Sequence, residues 1–267
     1  MKTNSLFSLL GLVSLLVWIL TLCIPAGLLT AATDEKPAGL TLALSTAKQG
    51  YILGEPVSLG FSVRNNSNSQ VTLPGLIDVY GGTLVVFVAF EDGPYRQYRG
   101  PGWYISGTRT IKPPVLDPGG SIETTATILH NRAPQRGNLN EQRWKLITER
   151  DIDTEIALPK PGRYRIKAVL FGKVESMPFE IYVGEPQTVD DLEIWKIMSK
   201  EPEYAFFMQS GDLLSGTLTD QENKQFVDAI ENITNYRATS TYTPYFRVAI
   251  ARHRAAVERH LKAAKPN

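Results

Sequence analysis

The chain of 267 residues has one cysteine, Cys23, and three histidines. A lone cysteine excludes an internal disulfide and a cysteine-rich zinc site, and three histidines leave little for a histidine-built metal centre. An excess of one charge is also missing. Basic and acidic side chains number 28 and 27, for a formal net charge of +1, which argues against a dedicated nucleic-acid binder. The sequence has no phosphate-binding glycine loop, no Gly-x-Ser-x-Gly elbow and no His-Glu-x-x-His, so the commonest catalytic signatures are absent. What remains is 43% hydrophobic and 21% charged, enough to bury a core and too apolar for general disorder.

Lys2 is the only charged residue before Asp34, and residues 6–22 are almost wholly apolar. A basic start followed by such a run is the pattern of an export signal. Pro25 and Gly27 break the run, and Thr30-Ala31-Ala32 offers small residues to a peptidase, so cleavage is expected after Ala32. The competing reading keeps residues 6–29 as a membrane anchor, because the run is long enough to span a bilayer. Leu22 before Cys23 does not fit a lipoprotein site. The protein is therefore expected to be exported, periplasmic or extracellular, touching a membrane only through residues 1–32 if they are retained.

The middle of the chain reads as strands. Residues 40–44, 57–63, 71–73, 122–129, 152–158, 164–171 and 178–183 alternate or run apolar, and period-2 alternation means one buried and one wet face. Residues 83–90 are apolar throughout, as for a central strand covered on both sides. Gly50, Gly54 and Pro56 punctuate a connection. Long helices do not alternate with these strands, which favours an antiparallel sandwich over a doubly wound sheet.

Two short patterns carry a resemblance. Pro159-Lys160-Pro161-Gly162 sets a turn before Tyr164, which resembles the tyrosine corner of immunoglobulin-like sandwiches. Tyr51-Ile52-Leu53-Gly54-Glu55-Pro56-Val57, followed by Val63-Arg64-Asn65, is similar to the strand entry of bacterial extracytoplasmic immunoglobulin-like modules. The resemblance covers about residues 38–184 and implies architecture, not activity. The expected fold is an all-β immunoglobulin-like antiparallel sandwich over 38–184 with an α-helical C-terminal appendage over 188–267, α+β overall.

In that appendage Thr188 precedes acidic residues that suit a helix start. Thr219-Asp220-Gln221-Glu222 forms a capping box, and Thr243-Pro244 opens a last helix. Residues 185–231 hold eleven acidic and three basic side chains, whereas 232–267 hold seven basic and one acidic. Packing of the two segments on each other explains this split. The alternative is a basic face for anionic lipid or cell-wall polymer.

Candidates for chemistry are few. His253 and His260 share a helix face but lie two turns apart, too far to clamp one metal ion. Ser45-Thr46-Ala47-Lys48 matches Ser-x-x-Lys but follows a strand and lacks its partner motifs. Asp151, Asp153 and Glu155 alternate like a solvated strand face more than a calcium loop. Asn65-Asn66-Ser67 and Asn232-Ile233-Thr234 fit the glycosylation pattern. No cofactor or metal is implied.

One segment stands out. Residues 93–104 set Tyr95, Arg96, Tyr98, Arg99, Trp103 and Tyr104 among glycines and prolines. Glycine and proline suggest a surface loop, and Tyr, Trp and Arg concentrate binding energy at interfaces. The opposing reading folds Trp103 back over the core. The functional expectation is an exported, non-enzymatic binding module of the cell envelope that uses this loop on an envelope protein or polysaccharide. The alternative is an inhibitor or regulatory partner of an exported protease, inserting the same loop into a cleft.

Overall fold

The computed structural model describes residues 39–79, 83–100, 112–132, 154–213 and 219–263. The described residues all lie within one compact unit, Pro37–Asn267. The expected export segment, Trp103, Tyr104, Asp151 and Asp153 lie outside the described residues. Among the described residues no helix is long and apolar enough to cross a membrane.

Eleven strands precede four helices among the described residues. The strands are β1 (Leu40–Thr46), β2 (Gly50–Ile52), β3 (Val57–Asn65), β4 (Val71–Thr72), β5 (Leu84–Phe90), β6 (Arg96–Tyr98), β7 (Val115–Leu116), β8 (Ser121–Ile128), β9 (Gly162–Leu170), β10 (Val174–Glu175) and β11 (Phe179–Gly184). The helices are α1 (Val189–Met198), α2 (Glu203–Ser210), α3 (Asp220–Tyr236) and α4 (Thr243–Ala263). One sheet runs β1-β3-β8. A second runs β2-β11-β9-β5-β6, with β10 beside β9, and β4 pairs β7 alone.

Alternation decides which faces meet. Val57, Leu59, Phe61 and Val63 of β3 and Tyr164, Ile166, Ala168 and Leu170 of β9 are all buried. They join one apolar cluster fed by both large sheets. The period-2 spacing thus puts every second side chain of both sheets into a common core.

Three expectations need correction. The sheets are not purely antiparallel: β2 pairs β11 in parallel, Val183 opposite Tyr51. The chain leaves the first sheet after β1 and joins the edge of the second, in a strand too short to show a period. β5 is not covered equally on both faces. Leu84, Val86 and Val88 are buried, while Val85 and Phe87 are only half-buried on the other side. Over 154–158 the described chain makes only an isolated bridge, His130 opposite Ile156, because the segment meets the end of β8 at one point.

The tyrosine corner is present. The Tyr164 hydroxyl donates to Lys160 O at 2.8 Å and accepts from Lys160 N at 3.1 Å. The Asn65 amide is fully engaged inside the protein, donating to Ser69 O at 2.8 Å and Leu116 O at 3.0 Å. Asn65 is wholly buried, so that glycosylation pattern marks a loop anchor instead of an acceptor.

The four helices build a second apolar cluster that also takes in Leu129 and Ile156. The Gly54 to Val57 strand entry is where α1 and α4 dock. Gly54 has φ +73°, and a Cβ there would lie 2.7 Å from the Trp195 ring and 2.8 Å from Met198 of α1. Glycine is required for both the left-handed backbone and the close approach. Next to it, buried Glu55 accepts from Lys48 Nζ at 2.5 Å and from the Tyr245 hydroxyl at 2.8 Å. The Tyr242 hydroxyl donates to Leu53 O. A motif read as a strand entry is thus also the seat for α1 and α4.

All three helix-start signals hold, α4 beginning at Thr243. The Thr188 hydroxyl accepts from Asp191 N, and Thr219 and Glu222 complete a capping box. The charge split resolves partly into packing. Arg237 pairs with Asp190 at 2.9 Å and with Glu193, and Arg254 pairs with Glu231 at 2.5 Å.

Candidate binding site

The described part of the aromatic and arginine-rich segment, residues 93–100, is not all loop. Residues 96–98 are β6, the edge strand beside β5, with Val88 opposite Arg96 and Val86 opposite Tyr98. Of the six expected contact residues, Tyr95, Arg96, Tyr98 and Arg99 are described, and they take different places.

Tyr98 points inward and is 2% exposed. Its hydroxyl donates to His130 O at 2.9 Å and accepts from Gln209 Nε2 at 2.8 Å. It is a core residue, which corrects its expected place on the contact surface. The reason is the strand period: Tyr98 occupies the face of β6 turned to the core. Arg99 is half-buried, and its backbone N–H donates to Asn131 Oδ1 at 2.8 Å. Tyr95 is half-buried on the outer face of the second sheet. Lys167 Nζ sits 4.7 Å from its ring centre and the Arg165 guanidinium 5.4 Å, distances at which cations are drawn to a ring face.

Arg96 lies at a cavity of about 470 Å³ that is half-open to solvent. Phe90, Gly93 and Pro94 form its wall on the β5–β6 hairpin, and Pro159, Lys160 and Tyr164 form it on the corner before β9. The hairpin turn is held from β9. Arg165 donates to Glu91 O at 3.0 Å and to Gly93 O at 3.1 Å. Arg163 N–H donates to Glu91 Oε1 at 2.9 Å, and the Phe90 and Tyr164 rings sit 5.1 Å apart. A Cβ on Gly162 would lie 2.6 Å from the Phe90 ring, so the strand start at Gly162 lets Phe90 pack down. Two cations, Arg96 and Lys160, line the cavity, and no carboxylate is among its described lining residues. Of the described acids on the hairpin, Glu91 and Asp92 pair with Arg163 at 3.5 and 2.8 Å.

The sequence shows the corner residues as a turn before a strand-start tyrosine, not as one wall of a cavity. Their placement opposite Pro94 and Arg96 depends on β5 and β9 being neighbours, which no local pattern reports.

Behind β6 lies a buried polar cluster. Gln209 Oε1 accepts from His130 N at 2.6 Å, and its Nε2 donates to Thr127 O at 2.8 Å. The His130 ring stands edge-on to Phe206 at 5.3 Å, and its buried Nδ1 has no hydrogen-bond partner. Burial lowers its pKa from 6.5 to about 4, because an imidazolium there would lose water without gaining an acceptor.

Ser45, Lys48 and His253 take structural roles. Ser45 on β1 donates to Gly60 O at 3.4 Å, and Lys48 is engaged by Glu55. His253 packs against Phe207 with ring centres 5.8 Å apart. Among the described residues no group of three or more His, Cys, Asp or Glu side chains is placed to hold a metal ion.

No family model and no curated protein matches this sequence. Among solved structures, 55% of the chain overlaps 31% of an alkylpurine DNA glycosylase from Pseudomonas fluorescens, at 14% identity and TM-score 0.30. A further overlap covers 54% of the chain and 15% of a β-glucosidase from Erythrobacter marinus, at 14% identity and TM-score 0.29. A third covers 55% of the chain and 94% of a CARDB domain from Pyrococcus furiosus, at 13% identity and TM-score 0.26. The chain thus spans under a third of the first two proteins. Likeness at this level says nothing of activity or ligand.

Proposed function

We propose that this protein is an exported, non-enzymatic interaction module of the cell envelope, built on an immunoglobulin-like sandwich. Its contact surface is the β5–β6 hairpin with the corner before β9. The observation that carries the reading is the half-open cavity of about 470 Å³ between those two segments. It lies within the size range of ligand sites, and its walls are held by a proline on each side and by the bonds of Tyr164 and Arg165. A site held rigid before binding loses less entropy when it is filled. The immunoglobulin-like part of the reading draws on the tyrosine corner and on two sheets sharing one core. The exported part draws on the basic start and apolar run of residues 1–32.

Non-enzymatic is the simpler assignment because the two buried carboxylates among the described residues have structural work. Glu55 ties β2 to α4, and Asp191 anchors the loop before α4. The test is affinity capture from envelope extract with the full chain as bait, comparing the wild type with an Arg96→Ala, Lys160→Ala double variant of unchanged melting temperature. A partner retained by the wild type and lost from the variant is the expected result. Identical retained sets would reject the site.

A further inference from the structure

We infer that the solvent face of α4 docks on an anionic lipid bilayer, resting in the headgroup layer without crossing it. This surface is separate from the hairpin cavity and goes beyond the interaction reading above.

Charge that packing leaves unexplained is the first argument. Residues 232–267 hold seven basic side chains and one acidic. Packing between helices uses Arg237 on Asp190 and Glu193, and Arg254 on Glu231. Lys262 pairs with Glu258 of its own helix at 2.7 Å, so the one acid of the segment is already engaged. Arg252 reaches Gln209 O at 3.4 Å, a long bond to a carbonyl that leaves its charge without a counter-ion. Arg247 and Arg259 are exposed and have no partner among the described residues.

Helical periodicity gathers these bases. Phe246, Ala249 and Ile250 are buried and mark the core side of α4. Val248, Ala251, Ala255 and Lys262 recur at steps of three, four and seven, down the middle of the opposite face. Arg247 and Arg254 run along one side of it, and Arg252 and Arg259 along the other, seven residues apart in each pair. The four arginines span about 18 Å of axis at 1.5 Å per residue.

Two rows of cations suit a plane. An array of anionic headgroups meets both rows at once, whereas a single polyanion chain lies along one. Val248 and Leu261, 50% and 63% exposed, add apolar contact at the boundary of headgroups and acyl chains, which a soluble polyanion does not offer. Basic clusters on a helix are drawn to anionic leaflets, by about fivefold in affinity for each Lys or Arg near the surface.

The experiment is flotation of the full chain with vesicles of phosphatidylglycerol and phosphatidylcholine in equal parts, against vesicles of phosphatidylcholine alone. Binding to the anionic vesicles should be about tenfold tighter or more, and should weaken with added salt. Arg247→Gln with Arg259→Gln removes two exposed side chains that have no partner to lose. It should weaken binding about thirtyfold, at about fivefold for each charge, with an unchanged melting temperature. Arg64→Gln with Lys200→Gln removes the same charge from exposed positions elsewhere and should leave binding in place. Attachment through the apolar run of residues 1–32 would be common to both vesicles and to every variant, so a second readout stands apart from it. Phenylglyoxal labelling of arginines, read by mass spectrometry, should be slowed at Arg247 and Arg259 by anionic vesicles and not by neutral ones, with Arg64 labelled alike on both. Equal labelling of Arg247 and Arg259 on the two vesicles would overturn the inference, whatever the flotation shows. So would a loss in the Arg64 and Lys200 control as large as in the α4 variant. Retention by soluble polyphosphate as tight as by vesicles, at the same charge concentration, would also overturn it in favour of a polyanion chain. None of these outcomes bears on the Arg96 and Lys160 test of the hairpin cavity.

Discussion

Asp191 and His130 are both buried, at 1% and 5% exposure, and both have lowered pKa values. The causes are opposite. Burial alone would raise the Asp191 pKa, but bonds from the Ser240 hydroxyl at 2.8 Å and Thr241 N at 2.7 Å, with the Thr188 and Thr241 hydroxyls, favour the carboxylate and bring it down. At His130 burial acts uncompensated, since Nδ1 has no partner. One region stabilises a charge and the other forbids one. The cost of burial thus depends on the donors and acceptors around the group.

The sharpest way to break the comparison is Asp191→Ala. It leaves several buried donors without an acceptor at the join of α1 and α4, and should cost about 3 kcal/mol in urea unfolding at pH 7. The pH dependence has a definite sign. A depressed carboxylate stabilises the fold above its unfolded pKa and loses that contribution as pH falls through the folded value, so the Asp191 contribution fades below about pH 4. A loss below about 0.5 kcal/mol would mean water replaces the carboxylate.

His130 should act in a higher window. Between pH 6.5 and about 4 the unfolded chain takes up a proton that folded His130 refuses. Stability should therefore fall with pH across that range by at most about 3 kcal/mol. His130→Phe should flatten the curve there and leave the limb below pH 4 in place. An unchanged slope would show that His130 is protonated inside the fold.

Gly54→Ala tests the seat of the helices at a smaller scale. It combines a left-handed backbone with contact against Trp195 and Met198, and should cost about 2 kcal/mol by thermal unfolding. A neutral result would mean α1 can shift away from the strand entry. The smallest expected effect is Tyr164→Phe, which removes the corner bond to Lys160. It should cost about 1 kcal/mol, the net value of one hydrogen bond. A value indistinguishable from zero would mean that solvent replaces the phenol's partner.

How much was legible follows from how local each signal is. The alternation of Val57 to Val63 and of Tyr164 to Leu170 decides which side chains are buried whatever the partner strand. The corner was legible because Tyr164 and Lys160 are four residues apart. The Thr219 cap was legible because its partner is Glu222. By contrast, segment 93–104 has the composition of a contact loop, yet pairing with β5 makes part of it a strand and sends Tyr98 into the core. The cavity was invisible because Pro94 and Lys160 meet only when β5 and β9 align.

By itself the sequence determined the strand-rich middle, the helical end, the helix caps and the tyrosine corner, since each rests on periodicity or on bonds between residues close in the chain. Only the tertiary structure decided three things: that β2 joins the second sheet in parallel, that Gly54 seats α1, and that Arg96 and Lys160 line one cavity. Those depend on contacts between distant segments, whose closure entropy is recovered only when the whole core forms.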